Sequence, residues 1–134
     1  CDVKERGTVK EALSLACDMN AAEYIYFTGT AAPEEMADLT AGSAFVNTHF
    51  YEKKFPLEKG NLEKIKAYLD GFKNPRLLGI NIPYIFADDA FLAEAARIGL
   101  KLSIYTVDDR EVLERLIERG VYNITTNIVF KVES

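Results

Sequence analysis

Residues 100–127, LKLSIYTVDDREVLERLIERGVYNITTN, constrain the fold more than any other stretch of the chain. An apolar run ends in an acidic turn, and an amphipathic helix pattern follows from Asp109 to Arg119. Gly120 then stops the helix and a second apolar run begins. Two strands joined through a helix run parallel, because a parallel pair needs a long crossover. Their ends, Thr106-Val107-Asp108-Asp109 and Thr125-Thr126-Asn127, then emerge on one side of the sheet, where they can line one site.

The same plan repeats upstream. DVK is a short apolar start, and Thr8 with Glu11 reads as a capping box opening a helix to about Asn20. Val9, Ala12, Leu13 and Ala16 form its apolar face, with Cys17 beside them as a small hydrophobe. EYIYFTG is β-rich, Pro33 opens a helix in PEEMADLTAG, and SAFVNTHF is the next strand. After the loop YEKKFPLEKG, Asn61 caps a helix with Leu62, Ile65 and Leu69 aligned. RLLGINIPYI is a strand that leaves the sheet near Pro83. Asp88 and Asp89 open a helix with Phe91, Leu92, Ala95 and Ala96 inward, ending at Gly99. The helix from Asp109 buries Val112, Leu113, Leu116 and Ile117, and VYNITTNIVF closes the chain as a strand.

The sum is six strands alternating with five helices, which predicts a parallel sheet in one α/β unit over residues 1–134. The strands read as continuous apolar runs, the pattern of a sheet covered on both faces. Periodicity leaves two closures open, a doubly wound sheet or part of a (β/α)8 barrel. KERGTVKE carries no G-x-G-x-x-G, which weakens the first.

The net charge of −5 excludes a phosphate-neutralising nucleic-acid binder, and Lys53-Lys54 is only a local basic pair. No apolar run approaches the ~20 residues of a membrane span. Cys1 and Cys17 lack a metal-binding spacing. Cys1 reads either as an arbitrary first residue or as the lipid-bearing cysteine of a bacterial lipoprotein; the absence of a flexible tether after it favours the former.

Residues 99–127 resemble the end of the glycerophosphodiester phosphodiesterase family, which reads Gly-Leu-x-Val, a Trp-Thr-Val-Asn turn, a helix, then Gly-Val-Asp-Gly-Ile-Ile-Thr-Asp. Thr106, Val107, Gly120, Val121, Ile124 and Thr126 stand in the family's places, and Asp2-Val3-Lys4 is similar to its Glu-Ile-Lys strand end. The resemblance implies a phospholipase-C-like barrel of which the six strands are the third to eighth. A full barrel takes about 250 residues, more than this chain has. It also implies metal-assisted hydrolysis of glycerophosphodiesters to glycerol 3-phosphate and an alcohol.

The family's His-Arg-Gly, Glu-x-Asp and His-Asp motifs are absent from the 134 residues, so no catalytic residue is expected among them. On the resemblance, Asp2 stands where the family has a metal-binding glutamate and would hold Ca2+ or Mg2+. Lys4 would contact a phosphate, Tyr105 would wall the ligand pocket in place of tryptophan, and Asn127 would lie near the substrate in place of aspartate. Asp108 in turn replaces an asparagine. The implied ligand is a small phosphodiester or glycerol phosphate. Two readings follow: part of such an enzyme, or a non-catalytic module binding a sugar phosphate or a protein partner. A native gene continuing upstream into His-Arg-Gly and Glu-x-Asp would separate them.

Other candidates are weaker. His49, the only histidine, has no orienting partner by pattern and reads as a strand-end residue. Thr28-Gly29-Thr30 before Pro33 reads as an ordinary βα turn, although such a turn can hold a phosphate. Asp88-Asp89 and Asp108-Asp109 read as helix caps, and Asn123-Ile124-Thr125 lies in a strand rather than at a glycosylated surface. Six of eight barrel strands would leave an apolar interior and two open sheet edges, through which the chain is expected to self-associate.

Overall fold

The structure is a computed structural model that describes residues 1–29, 35, 43–47, 58–71 and 77–128. The strands are β1 (Asp2–Val3), β2 (Tyr26–Gly29), β3 (Ser43–Asn47), β4 (Leu77–Pro83), β5 (Lys101–Tyr105) and β6 (Asn123–Ile124). They form one sheet in the order β1-β2-β3-β4-β5-β6, and every neighbouring pair is parallel. Strand order therefore follows sequence order without reversal. A doubly wound sheet reverses at a switch point, so this topology is that of a barrel wall.

The described helices are α1 (Thr8–Asp18), α2 (Leu62–Asp70), α3 (Asp89–Arg97) and α4 (Arg110–Glu118). Three start as the sequence predicts. The Asn61, Asp88 and Asp109 side chains accept from the N–H groups of Lys64, Phe91 and Val112 at 3.2, 2.9 and 3.1 Å. The capping box at Thr8 does not form. Gly7 is the cap, at φ 87°, and Thr8 Oγ1 instead donates to the Glu5 carbonyl. The predicted helix start at Pro33 and the strand end at His49 lie outside the described residues.

The helices pack on one face of the sheet. Ile65, Tyr68, Leu69, Phe91, Leu92, Leu113 and Leu116 meet Ile80, Ile82, Leu102 and Ile104 in the main core. A second cluster joins Val9 and Leu13 of α1 to Val3, Phe27 and Ala44. The buried helix faces are narrower than the apolar pattern suggests. Leu62, Ile117, Ala96 and Cys17 are exposed, because each lies at the margin of a stripe whose centre fills the available sheet surface.

The strands themselves alternate. Ile80, Ile82, Leu102 and Ile104 face the helices, whereas Asn81, Ser103 and Asn123 project to the concave side. The expectation of strands apolar on both faces is thus overturned in this row, while below it the concave side is filled by the rings of Tyr26, Phe45 and Tyr122. The described helices cover one face, and on the other Tyr26, Asn47, Asn81, Ser103 and Asn123 bond to one another around the barrel axis.

A register shift aligns them. The pairing passes from Ala44 opposite Leu77 to Phe45 opposite Gly79, so one residue of β4 is skipped. Without that bulge Asn47 would sit opposite Ile80, since a one-residue slip changes face. With it, Asn47, Asn81, Ser103 and Asn123 stand in one row across four strands.

Candidate ligand site

The carboxyl ends of all six strands open into one cavity of about 430 Å³. Asp2, Val3 and Lys4 line it from β1, Thr28 and Gly29 from β2, and Asn47 from β3. Asn81, Tyr105, Thr106 and Thr125 complete the wall. The two strand ends of residues 100–127 do converge on one site, through Tyr105, Thr106 and Thr125.

At the rim the Lys4 ammonium donates to the Asp2 carboxylate, forming an ion pair on the side of β1. Asp2 is registered opposite Thr28, and Gly29 makes the close approach there possible. Gly29 has φ 82°, and a Cβ on it would stand 2.3 Å from both Asp2 Oδ1 and the Val3 carbonyl oxygen. Only glycine meets both demands.

The residues present do not fit a divalent cation by themselves. A hard cation takes six or more oxygen ligands, several of them carboxylate. Among the described residues Asp2 is the only carboxylate in the cavity lining, and Lys4 already engages it. Among the described residues no three His, Cys, Asp or Glu side chains come together.

The floor is a chain of hydrogen bonds running across the concave face. Tyr26 OH donates to Asn123 Oδ1 at 3.1 Å, and Asn123 Nδ2 to Ser103 Oγ at 2.9 Å. Ser103 Oγ donates to Asn81 Oδ1 at 2.8 Å, and Asn81 Nδ2 to Asn47 Oδ1 at 2.6 Å. Ser103 is fully buried and Asn81 nearly so, so each bond satisfies a group that would otherwise be desolvated at a cost. The Tyr26 ring is held by an edge-to-face contact with Phe45, centroids 5.3 Å apart.

No protein-family model and no curated protein matches the sequence. Solved structures do match the fold. A glycerophosphodiester phosphodiesterase from Thermotoga maritima superposes with a TM-score of 0.62 at 13% identity, over 93% of this chain and 51% of that one. One from Parabacteroides distasonis gives 0.62 at 16% identity, over 94% and 50%. The chain has the fold of a partial glycerophosphodiester phosphodiesterase barrel. It spans about half the length of either enzyme.

Asp2, Lys4 and Tyr105 are brought together at the cavity of this partial barrel. Asn127 is not among its lining residues. Its backbone N–H and Nδ2 both donate to the Asp108 carboxylate, at 2.8 and 2.9 Å, and Thr126 Oγ1 reaches the same group at 3.5 Å. Asp108 is therefore no helix cap. It ties the turn after β6 to the turn after β5, and the residues that exchange amide for acid relative to the family bond to each other.

The Asn127 backbone N–H, then its side chain, hold the Asp108 carboxyl below its ordinary 3.8. A depressed folded-state value stabilises the fold above 3.8, and the contribution disappears as pH falls through the lower folded value. Titrating the Asn127 backbone amide by NMR should give a midpoint below 3.8 that vanishes in Asp108→Asn. A midpoint at or above 3.8 would sink this assignment.

Thr28, Thr106 and Thr125 line the cavity from turns that the sequence singles out, whereas Asn47 and Asn81 were not among the sequence candidates. The signal was present in the parity of Ile-Asn-Ile, Leu-Ser-Ile and Tyr-Asn-Ile, each with a polar residue flanked by bulky ones.

Proposed function

We propose that the cavity binds a small phosphorylated polyol of the glycerol phosphate type, and that these 134 residues alone do not hydrolyse a phosphodiester. One observation carries the reading: Lys4, Tyr105 and a rim of hydroxyls and amides converge where the strands end. Ligand sites of barrel enzymes lie at that end. Lys4 would supply positive charge to a phosphate, Tyr105 an aromatic wall, and the threonines hydrogen bonds to hydroxyls.

The parent activity implied by the fold is metal-assisted hydrolysis, which needs an acid, a base and a bound cation. Among the described residues the cavity lining holds one carboxylate, Asp2, and it is ion-paired with Lys4. Purified protein incubated with glycerophosphodiesters and Ca2+ or Mg2+ should release no alcohol, while glycerol 3-phosphate should perturb the Tyr105 and Thr125 resonances. Metal-dependent turnover would defeat the first half of the proposal, and unmoved resonances the second.

We also propose that the chain pairs with a second copy through its outermost strands. Among the described residues β1 and β6 each have one neighbour in the sheet. Large apolar side chains are left exposed on the elements that flank these strands in sequence, Leu15 and Met19 on α1 and Ile117 on α4. A two-fold dimer lets one surface serve both subunits. Light scattering at micromolar concentration should give twice the monomer mass; a clean monomer would count against it.

A further inference from the structure

The floor chain has a polarity, and that polarity sets what the cavity offers a ligand. Each member donates toward β3, from Tyr26 through Asn123, Ser103 and Asn81 to Asn47. Ser103 has one proton and the two asparagine amides between the ends use an N–H and an oxygen each, so the direction passes unbroken along the row. Tyr26 is the only end that starts it, and it does not line the cavity. Asn47 is the other end, and it does. Its Oδ1 is committed as acceptor to Asn81, and its Nδ2 has no partner among the described residues. Were the chain reversed, Asn47 would turn its oxygen to the cavity and select hydroxyl donors instead.

We infer that Asn47 donates its amide N–H2 to a phosphate oxygen of the ligand, and that Tyr26 is the positioning residue that fixes this orientation from across the barrel. This rests on the reading of the cavity as a phosphate-bearing ligand's site and adds which residue selects the oxygen. Lys4 at the β1 rim and Asn47 on β3 then approach the ligand from different strands, one by charge and one by directed hydrogen bond. The threonine hydroxyls can serve as donor or acceptor, so they do not discriminate. Asn47 does.

The test is side-chain amide NMR of the full chain, titrated separately with inorganic phosphate and with glycerol. Phosphate should shift the Asn47 Nδ2 resonances to saturation, and glycerol should leave them in place. Tyr26→Phe keeps the ring against Phe45 and removes only the proton that starts the row. It should move the Asn47 resonances in the free protein and weaken phosphate roughly tenfold, the worth of about one hydrogen bond. Asn47→Asp keeps the bond from Asn81 but presents a second acceptor, and should abolish the phosphate response. Ser103→Ala, cutting the row at its middle, should reproduce the effect of Tyr26→Phe.

The inference is overturned if phosphate moves Lys4 and Thr125 while Asn47 stays still, and the ligand reading then survives it. It is overturned equally if glycerol, and not phosphate, shifts Asn47. If neither probe moves any cavity resonance, inference and ligand reading fall together.

Discussion

Leu116→Ala should lower the unfolding free energy by about 2–5 kcal/mol, the usual cost of emptying a leucine site in a packed core. Leu116 is 0% exposed on the inner face of α4, in the cluster that includes Leu102, Ile104 and Leu113. The Leu116 carbonyl also accepts from the Val121 N–H at 3.1 Å, so the helix end is fixed and cannot slide in to fill the void. Ile117, one position on, is 59% exposed and serves as the control. Its truncation should cost about 0.5 kcal/mol or less. Urea unfolding of both variants decides the matter. Equal shifts would mean that α4 packs by another face.

Gly79→Ala should destabilise by roughly 3 kcal/mol, at the upper end of what one added methyl costs in a filled site. A Cβ there would stand 1.8 Å from the Lys101 carbonyl oxygen and 3.0 Å from Cε1 of Phe45. The oxygen belongs to backbone that pairs with β4 at this very point, so it can yield only if the ladder between β4 and β5 opens. Asn81 and Ser103 lie two residues further along the same ladder, and their hydrogen bond would be stretched with it. The variant should therefore lose stability and the ordered Asn81 amide signal together. Unfolding within about 0.5 kcal/mol of the parent would show that the strands are spaced more loosely than this contact implies.

The sequence was most legible where one element carries its own signal. The caps at Asn61, Asp88 and Asp109 and the glycines after α3 and α4 needed only local chemistry, and they are where the pattern puts them. The parallel alternation followed from the same signals. Thr8 misled because a threonine three residues before a glutamate suits a cap, while Gly7 at positive φ takes that position instead.

The concave face was hidden for a different reason. Asn81, Ser103 and Asn123 each sit in an apolar run, and counting apolar residues conceals their parity. Parity acquires meaning once the helices are known to cover one face. Asn47 required more still, because its place opposite Asn81 depends on the bulge between β3 and β4, which no local motif announces. At the rim, Asp2, Lys4 and Tyr105 came from family resemblance, and nothing in their own neighbourhoods would have grouped residues a hundred positions apart.

The hydrogen bond between Tyr26 and Asn123 joins residues 97 positions apart, and that separation imposes an order on assembly during synthesis. While the chain is being made, α2, α3 and their strands can begin to bury leucine and isoleucine from neighbouring segments. The floor of the cavity must wait, since its first donor emerges 97 residues ahead of that donor's acceptor. Until β6 leaves the ribosome, Tyr26 has only water to bond and the row of amides has no fixed direction. A phenol-directed label on arrested nascent chains should accordingly find the Tyr26 hydroxyl protected only once Asn123 is present, so that the floor of the site is completed later than the core beneath it.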